Sequence, residues 1–369
     1  MLKFFYTLVH IVYVQIVRRI LFLFDPEDVH NACTRFGALL GSHKITRYIF
    51  NALFNHSYAR LQNNVAGILF KSPLGLSAGF DKNARLIHVL PTLGFGFAEI
   101  GSVTGIACAG NMKPRLWRLK KSQSIQVNYG LANDGSEVIA QRLAKPRTST
   151  MPIGVSVAVS NESRIKDLEQ AIDDVLKAYT DCEPFADYVT INISCPNAEL
   201  GQLFLRTENL NQLLVRFNKI RTAKPVFIKM APDLTSENID EILNCIMHHK
   251  IDGIVCTNLT KKYSQVSQND VLHKGGVSGK AVAQQSKDLL RYVYAKTQGS
   301  LICISSGGVF SAQDAYERIR SGASLVQVLT ALIYEGPQVI ADMNRELDKL
   351  LVRDGFTNIQ QAIGVDALK

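Results

Sequence analysis

The chain has no CxxC pair and an odd number of cysteines, seven in 369 residues. This leaves no even disulfide framework and no structural zinc ligand set, and it points to a reducing compartment. No zinc-finger spacing, RNP-like aromatic stretch or long basic run is present, although 41 Lys+Arg against 32 Asp+Glu give a formal charge of +9. Nucleic acid is therefore the weakest partner for this charge, behind an anionic membrane surface and anionic small molecules. Also missing is a long uncharged apolar run. The longest near the N-terminus, Phe4 to Val17, has 14 residues, short of the roughly 20 that span a bilayer. Phe22-Leu23-Phe24-Asp25-Pro26 offers no small-residue cleavage site for a secretory signal.

What is present is enough apolar material for a full core, with 47% hydrophobic and 20% charged residues. The first stretch, residues 2–24, is very apolar but interrupted by Lys3, Arg18 and Arg19. A helix lying in a membrane interface fits this best, with its cations at lipid headgroups. A single span with snorkelling arginines and a helix packed on the protein's own body are the alternatives. Asp25-Pro26 reads as an N-cap and first helical position, starting a second helix over roughly 26–41. We therefore expect a small membrane-associating module at 1–41 and a main domain at 42–369.

Beyond residue 60 the pattern changes to short apolar, β-rich runs, each followed by a helical stretch. The runs are 74–80, 97–104, 153–160, 188–194, 226–232, 253–258, 301–308 and 325–331, with helices predicted at 165–180, 235–249, 280–297 and 311–321. Near-continuous apolar strands alternating with helices imply a parallel sheet. Eight such units imply an α/β fold closed as a (β/α)8 TIM barrel. Unusual polar residues gather where the runs stop, and in such a barrel the C-terminal strand ends build the active site.

Three groups of residues suggest chemistry. Ser305-Ser306-Gly307-Gly308 after the seventh run, Leu329-Thr330 after the eighth and the Gly-rich 274–279 loop suit a phosphate-bearing cofactor. Lys229 lies inside an apolar strand, where it needs a partner or loses its charge. It either stabilises negative charge on a reduced flavin ring or forms a structural ion pair. In Ile191-Asn192-Ile193-Ser194-Cys195-Pro196-Asn197, two Asn suit a ring with carbonyl and N–H groups. Cys195 between them is a candidate proton acceptor, against the plainer reading of a buried Cys in a strand-end turn.

These motifs resemble the membrane-associated, quinone-using class of dihydroorotate dehydrogenases over nearly the whole chain. The resemblance is carried by SPLGLSAGFDKNA at 72–84, GFGFAEIGSVT at 94–104, NMKPRLWRL at 111–119, INISCPN at 191–197, IKMAPDLT at 228–235, GGVSGKA at 275–281 and the run at 305–337. It implies oxidation of dihydroorotate to orotate in pyrimidine synthesis. A base takes the C5 proton, FMN takes a hydride from C6, and a membrane quinone is the final acceptor. FMN contacts are implied at Ala78, Gly79, Ser102, Ser156, Asn192, Lys229, Thr257, Ser278, Gly279, Gly307, Gly308, Leu329 and Thr330. Substrate contacts are implied at Lys82, Asn192, Asn197 and Asn258, and Arg118 falls on the quinone path. The cytoplasmic face of a bacterial inner membrane is the expected location, with a mitochondrial inner membrane as the alternative, since no Arg/Ser-rich transit stretch is evident.

The chain departs from the family pattern at the site. Cys195 stands where the quinone class has Ser. The family's Asn-Arg-x-Gly-Phe-Asn stretch reads Val127-Asn128-Tyr129-Gly130-Leu131-Ala132. Val127 thus replaces an Asn that binds substrate and flavin, and Asn128 recovers that contact only if the loop slips by one residue. Ser156 replaces a flavin-contacting Asn, Ala158-Val159-Ser160-Asn161 a Gly-Lys-Asn-Lys run, Leu259 a Thr and Leu329 a Tyr. Three functions follow in order. The first is a divergent dihydroorotate dehydrogenase. The second is an FMN oxidoreductase for another small cyclic amide or an enone. The third is a catalytically weak flavoprotein with a binding role, against which the retained Lys82, Asn192, Asn197, Lys229 and Asn258 speak.

Overall fold

A computed structural model describes residues 2–367. Eight parallel strands close into a barrel in chain order: β1 (Leu74–Leu76), β2 (Phe97–Val103), β3 (Ile153–Val157), β4 (Tyr188–Asn192), β5 (Val226–Met230), β6 (Gly253–Cys256), β7 (Ile302–Ser306) and β8 (Ala323–Val328). Each anticipated strand is present, beginning within two residues of the sequence expectation; most end earlier. The anticipated helices appear as Leu168–Cys182, Ser236–His248, Ala283–Thr297 and Ala312–Arg320. Asp167, Thr235 and Ser311 cap three of them, accepting from backbone N–H groups of the first turn.

Inward residues alternate along each strand and stack in layers, as this closed architecture requires. The lowest layer is aromatic. Phe97 meets Phe70 edge-on at 5.4 Å, and Tyr188 meets Phe227 at 5.5 Å. Gly75 and Gly154 leave room for these rings: a Cβ on Gly75 would lie 2.4 Å from the Phe97 ring, and one on Gly154 2.1 Å from that of Tyr188. Phe70 comes from a hairpin, residues 63–70, that plugs the lower end. Above lies a polar layer. Glu99, fully buried, accepts from Thr190 Oγ1 at 2.8 Å and Gln327 Nε2 at 2.9 Å. Glu99 and Lys229 are the two charged residues of the eight barrel strands.

Two further features, like the hairpin, went unseen in the sequence. A three-stranded antiparallel sheet joins Leu116–Leu119, Ser124–Val127 and Gly276–Gly279 over the upper rim. A helix at Lys44–Phe54 follows the second N-terminal helix. The N-terminal region thus holds three helices: α1, running Leu2–Val12, through a π-turn Tyr13–Val17, to Arg18–Leu21; α2 (Pro26–Ser42); and α3 (Lys44–Phe54). Asp25 caps α2 as expected, accepting from Glu27 and Asp28 N–H.

One face of α1 is docked on the barrel. Tyr13 Oη donates to the Ile333 carbonyl at 2.9 Å, Arg18 Nη1 to the Tyr334 carbonyl at 2.6 Å, and Tyr6 is buried against Phe54 and Ala341. The opposite face is bare: Phe4, Leu8, Ile11, Ile16, Ile20 and Leu23 are exposed, continued by Phe36, Leu39, Ile45 and Tyr48 on α2 and α3. Although its uncharged run is short, the helix over Lys3–Leu21 is, by length and composition, long and apolar enough to cross a membrane.

Candidate active site

One cavity, about 260 Å³, runs from the N-terminal helices to the upper barrel mouth. Its outer end is lined by Tyr13, Phe22, Val29, His30, Cys33 and Arg118. Arg118 Nη1 donates to the Phe24 carbonyl at 2.9 Å, and its guanidinium lies 4.5 Å from the Phe22 ring. Helix α2 is pinned beside it by Glu27, whose buried carboxylate meets Arg115 at 2.9 Å and Lys113 at 3.2 Å. These two cations hold the Glu27 carboxyl below its ordinary range despite burial.

The inner end gathers most of the expected residues. Ala78, Gly79, Lys82, Ser102, Asn192, Cys195, Asn197, Lys229, Thr257, Asn258, Ser278, Gly307, Gly308, Leu329 and Thr330 all line the cavity. The amides are locked to one another. Asn192 Nδ2 donates to Ser102 Oγ at 2.9 Å, and Asn258 Nδ2 to Asn192 Oδ1 at 3.0 Å. Lys229 Nζ has no hydrogen-bond partner among the described residues, and Glu99 and Cys195 are the groups that favour its charge. Burial is the stronger influence and lowers its pKa.

Lys82 leaves the end of β1 with its ammonium 3.8 Å from the Tyr129 ring centre. Its Nζ also donates to His30 Nε2 at 3.4 Å. Burial lowers the Lys82 ammonium to about 8, and burial and the neighbouring Lys82 lower His30 to about 3. His30 is therefore a neutral acceptor. Its neighbour Asp81 is structural: it accepts the N–H groups of Arg85 and Leu86.

The Cys195 thiol is pushed up by burial, against the pull of the Asn197 and Ala198 amides and of Lys261 and Lys229. In the free protein at neutral pH it is a thiol, so thiolate character has to come with ligand binding or a rise in pH.

Three expected residues fall outside the lining. Ser156 lies beneath it, bonded to Ser102 Oγ at 2.8 Å. Gly279 ends the rim-sheet strand Gly276–Gly279, paired with Ser124. Asn128 corrects the idea of a slipped loop. The strand at Ser124–Val127 is in register with both neighbours, Val127 opposite Leu116 and Gly276. Val127 faces the cavity, while Asn128 turns away and is held by Asn111, whose Nδ2 donates to the Asn128 carbonyl at 3.1 Å and to its Oδ1 at 3.2 Å. Asn111, quoted in the sequence reading only within a family motif and given no role, also donates to the Asn197 carbonyl at 2.8 Å. Leu131, Ala132 and Leu259 join Val127 along the wall, so this side of the cavity is apolar.

The sequence profile of the dihydroorotate dehydrogenase family matches residues 60–351. A quinone-type dihydroorotate dehydrogenase of Gloeobacter violaceus is 36% identical over 352 residues, covering 95% of this chain and 98% of that one. The corresponding protein of Sulfurimonas denitrificans is 38% identical over 363 residues, with 95% and 98% covered. Among solved structures, a ligand-free DHODH of Eimeria tenella superposes with a TM-score of 0.84 at 30% identity, covering 93% of this chain and 99% of that one. By sequence over nearly its whole length and by a shared barrel, the chain belongs to the dihydroorotate dehydrogenase family, among its quinone-dependent members.

Proposed function

We propose that this protein is an FMN-dependent dihydroorotate dehydrogenase that passes electrons to a membrane quinone. The observation that carries the reading is Lys229: a buried ammonium without a hydrogen-bond partner, facing a cavity rimmed by Gly307, Gly308 and Thr330. Such a cation needs a negative ligand group, and a flavin phosphate with a reducible ring fits both ends of this donor set. Ala78, Gly79, Ser102, Asn192, Lys229, Thr257 and Ser278 would hold the ring and ribityl chain, and Gly307, Gly308, Leu329 and Thr330 the phosphate.

When bound, FMN supplies the two-electron acceptor for the hydride at C6 of the substrate. The chain's own residues do the rest. Lys82 faces the substrate carboxylate, and its charge is present below about pH 8. Asn192, Asn197 and Asn258 present donors and acceptors to the ring amides. Cys195, once deprotonated to the thiolate, takes the C5 proton. The outer end of the cavity, with Arg118 and Tyr13, admits the quinone between α1 and α2. We read residues 1–41 as the module that meets the membrane and 42–369 as the FMN-binding barrel, with the bare face of α1 against lipid at the cytoplasmic side of a bacterial inner membrane.

A second reading is favoured by one observation, the apolar wall of Val127, Leu131, Ala132 and Leu259. It is an FMN oxidoreductase for a less polar cyclic amide or an enone. The test is turnover in mild detergent. Dihydroorotate with a short-chain ubiquinone should yield orotate and quinol in equal amounts. No orotate from protein with a full complement of FMN would overturn the dihydroorotate reading.

A further inference from the structure

The loop after β7 carries two glycines and no charge, yet a guanidinium stands behind it. Arg318 is on the helix Ala312–Arg320 and is 3% exposed. Its Nη1 donates to Ser286 Oγ at 2.9 Å, and its Nη2 to the Ala283 carbonyl at 2.5 Å and the Gly307 carbonyl at 3.0 Å. All three partners are neutral. The acids nearby are engaged elsewhere: Asp314 caps its own helix, Glu317 pairs with Lys287 at 2.6 Å, and Asp288 accepts from Gln284. A buried cation satisfied only by neutral acceptors is costly unless an anion comes near.

The loop geometry says where that anion sits. A trans peptide directs its C=O and N–H oppositely. With the Gly307 carbonyl held by Arg318, the Gly308 N–H is turned away from Arg318 toward the cavity that Gly308 lines. That N–H has no acceptor among the described residues. Ser286 extends the grip, its Oγ donating to the Ser306 carbonyl at 2.7 Å. The loop is pressed against the next helix: at Gly308, φ is +74° and an added Cβ would lie 2.4 Å from the Ala283 Cβ. Across the cavity end, Ser278 Oγ and Thr330 Oγ1 share a hydrogen bond at 3.3 Å, which leaves one of the two hydroxyl protons free to donate.

We propose that Arg318 is a positioning residue for the flavin phosphate, aiming the Gly308 N–H at it and supplying a buried positive charge that the phosphate neutralises. This rests on the flavin reading above. Burial lowers the guanidinium only to about 10, so it is charged at neutral pH. Arg318 touches no reacting atom, so its signature is discrimination between flavins that differ only in the phosphate.

The experiment strips the full-length protein of flavin and titrates it with FMN and with riboflavin by fluorescence quenching. Wild type should bind FMN more tightly than riboflavin. Arg318→Met should weaken FMN about 10- to 100-fold, the range of a lost charge-assisted bond, and leave riboflavin unchanged. Arg318→Lys, which keeps charge but not the fork, should lose less. If the Met variant does not fold, Arg318→Lys and Ser286→Ala carry the test, each lowering FMN affinity selectively. Equal losses for both flavins, or none for either, would overturn the role of Arg318. So would a wild type that binds the two flavins alike, though the flavin reading would then stand. A wild type that binds neither would remove the flavin reading and this inference together.

Discussion

The two sides of the cavity are built to different rules. The side formed by β7, β8 and the Gly-rich rim is polar, tightly sprung and closed to change: a side chain at Gly308 would collide with Ala283, and Arg318 and Ser286 fix the carbonyls behind the loop. The side formed by residues 127–132 and Leu259 is apolar, and the amide within that stretch, Asn128, is turned outward onto Asn111. On the proposed reading, binding at the cofactor end constrains the backbone, whereas binding at the substrate wall rests on replaceable side chains.

Four changes would break or sharpen this contrast. Replacing Cys195 by Ala should have the largest effect. Flavin content should be unchanged, while anaerobic flavin reduction by dihydroorotate slows by about 10²- to 10⁴-fold, the usual worth of a positioned base. Because burial raises the Cys195 thiol, wild-type reduction should also accelerate with rising pH, and Cys195→Ala should lose that limb. Next, Lys229→Ala removes the buried cation proposed to face the flavin and should weaken FMN by about 10- to 100-fold, read as flavin lost on gel filtration; full stoichiometry would detach Lys229 from the cofactor. Third, Val127→Asn should restore a polar partner to the wall. It should tighten dihydroorotate by about 1–3 kcal/mol; a loss of affinity would mean the wall is shaped for a less polar ligand. The smallest effect concerns Lys82. Its ammonium sits at about 8, so the dissociation constant of orotate, measured by flavin spectral shift, should rise as pH passes that value and be flat across it in Lys82→Met.

The barrel was legible because its strands are buried on both faces and read as continuous apolar runs. Their ends were less so. Residues after Leu76, Asn192 and Cys256 continue the apolar or β-like pattern but leave the ladder to form the site. The rim sheet was hidden because Leu-Trp-Arg-Leu, Ser-Ile-Gln-Val and Gly-Val-Ser-Gly are four-residue strands of mixed polarity. Helix Lys44–Phe54 was hidden because His43 at its cap makes no capping bond with its side chain. Cys195, Lys229 and the Gly307-Gly308 loop stood out as polar or flexible residues in apolar surroundings. His30, Asn111 and Arg318 did not, because each acts on a neighbour distant in the chain. The register of Val127, which decides that Asn128 faces away, depends on pairing with residues 116 and 276, and no local pattern encodes that.

The central claim is that this cavity, despite its apolar wall, oxidises dihydroorotate. The most direct measurement mixes the FMN-loaded protein with dihydroorotate without oxygen and follows the flavin absorbance. Rapid bleaching with release of orotate is the predicted result. A flavin that stays oxidised with dihydroorotate, yet bleaches with dithionite, would contradict it and assign the site to a different substrate.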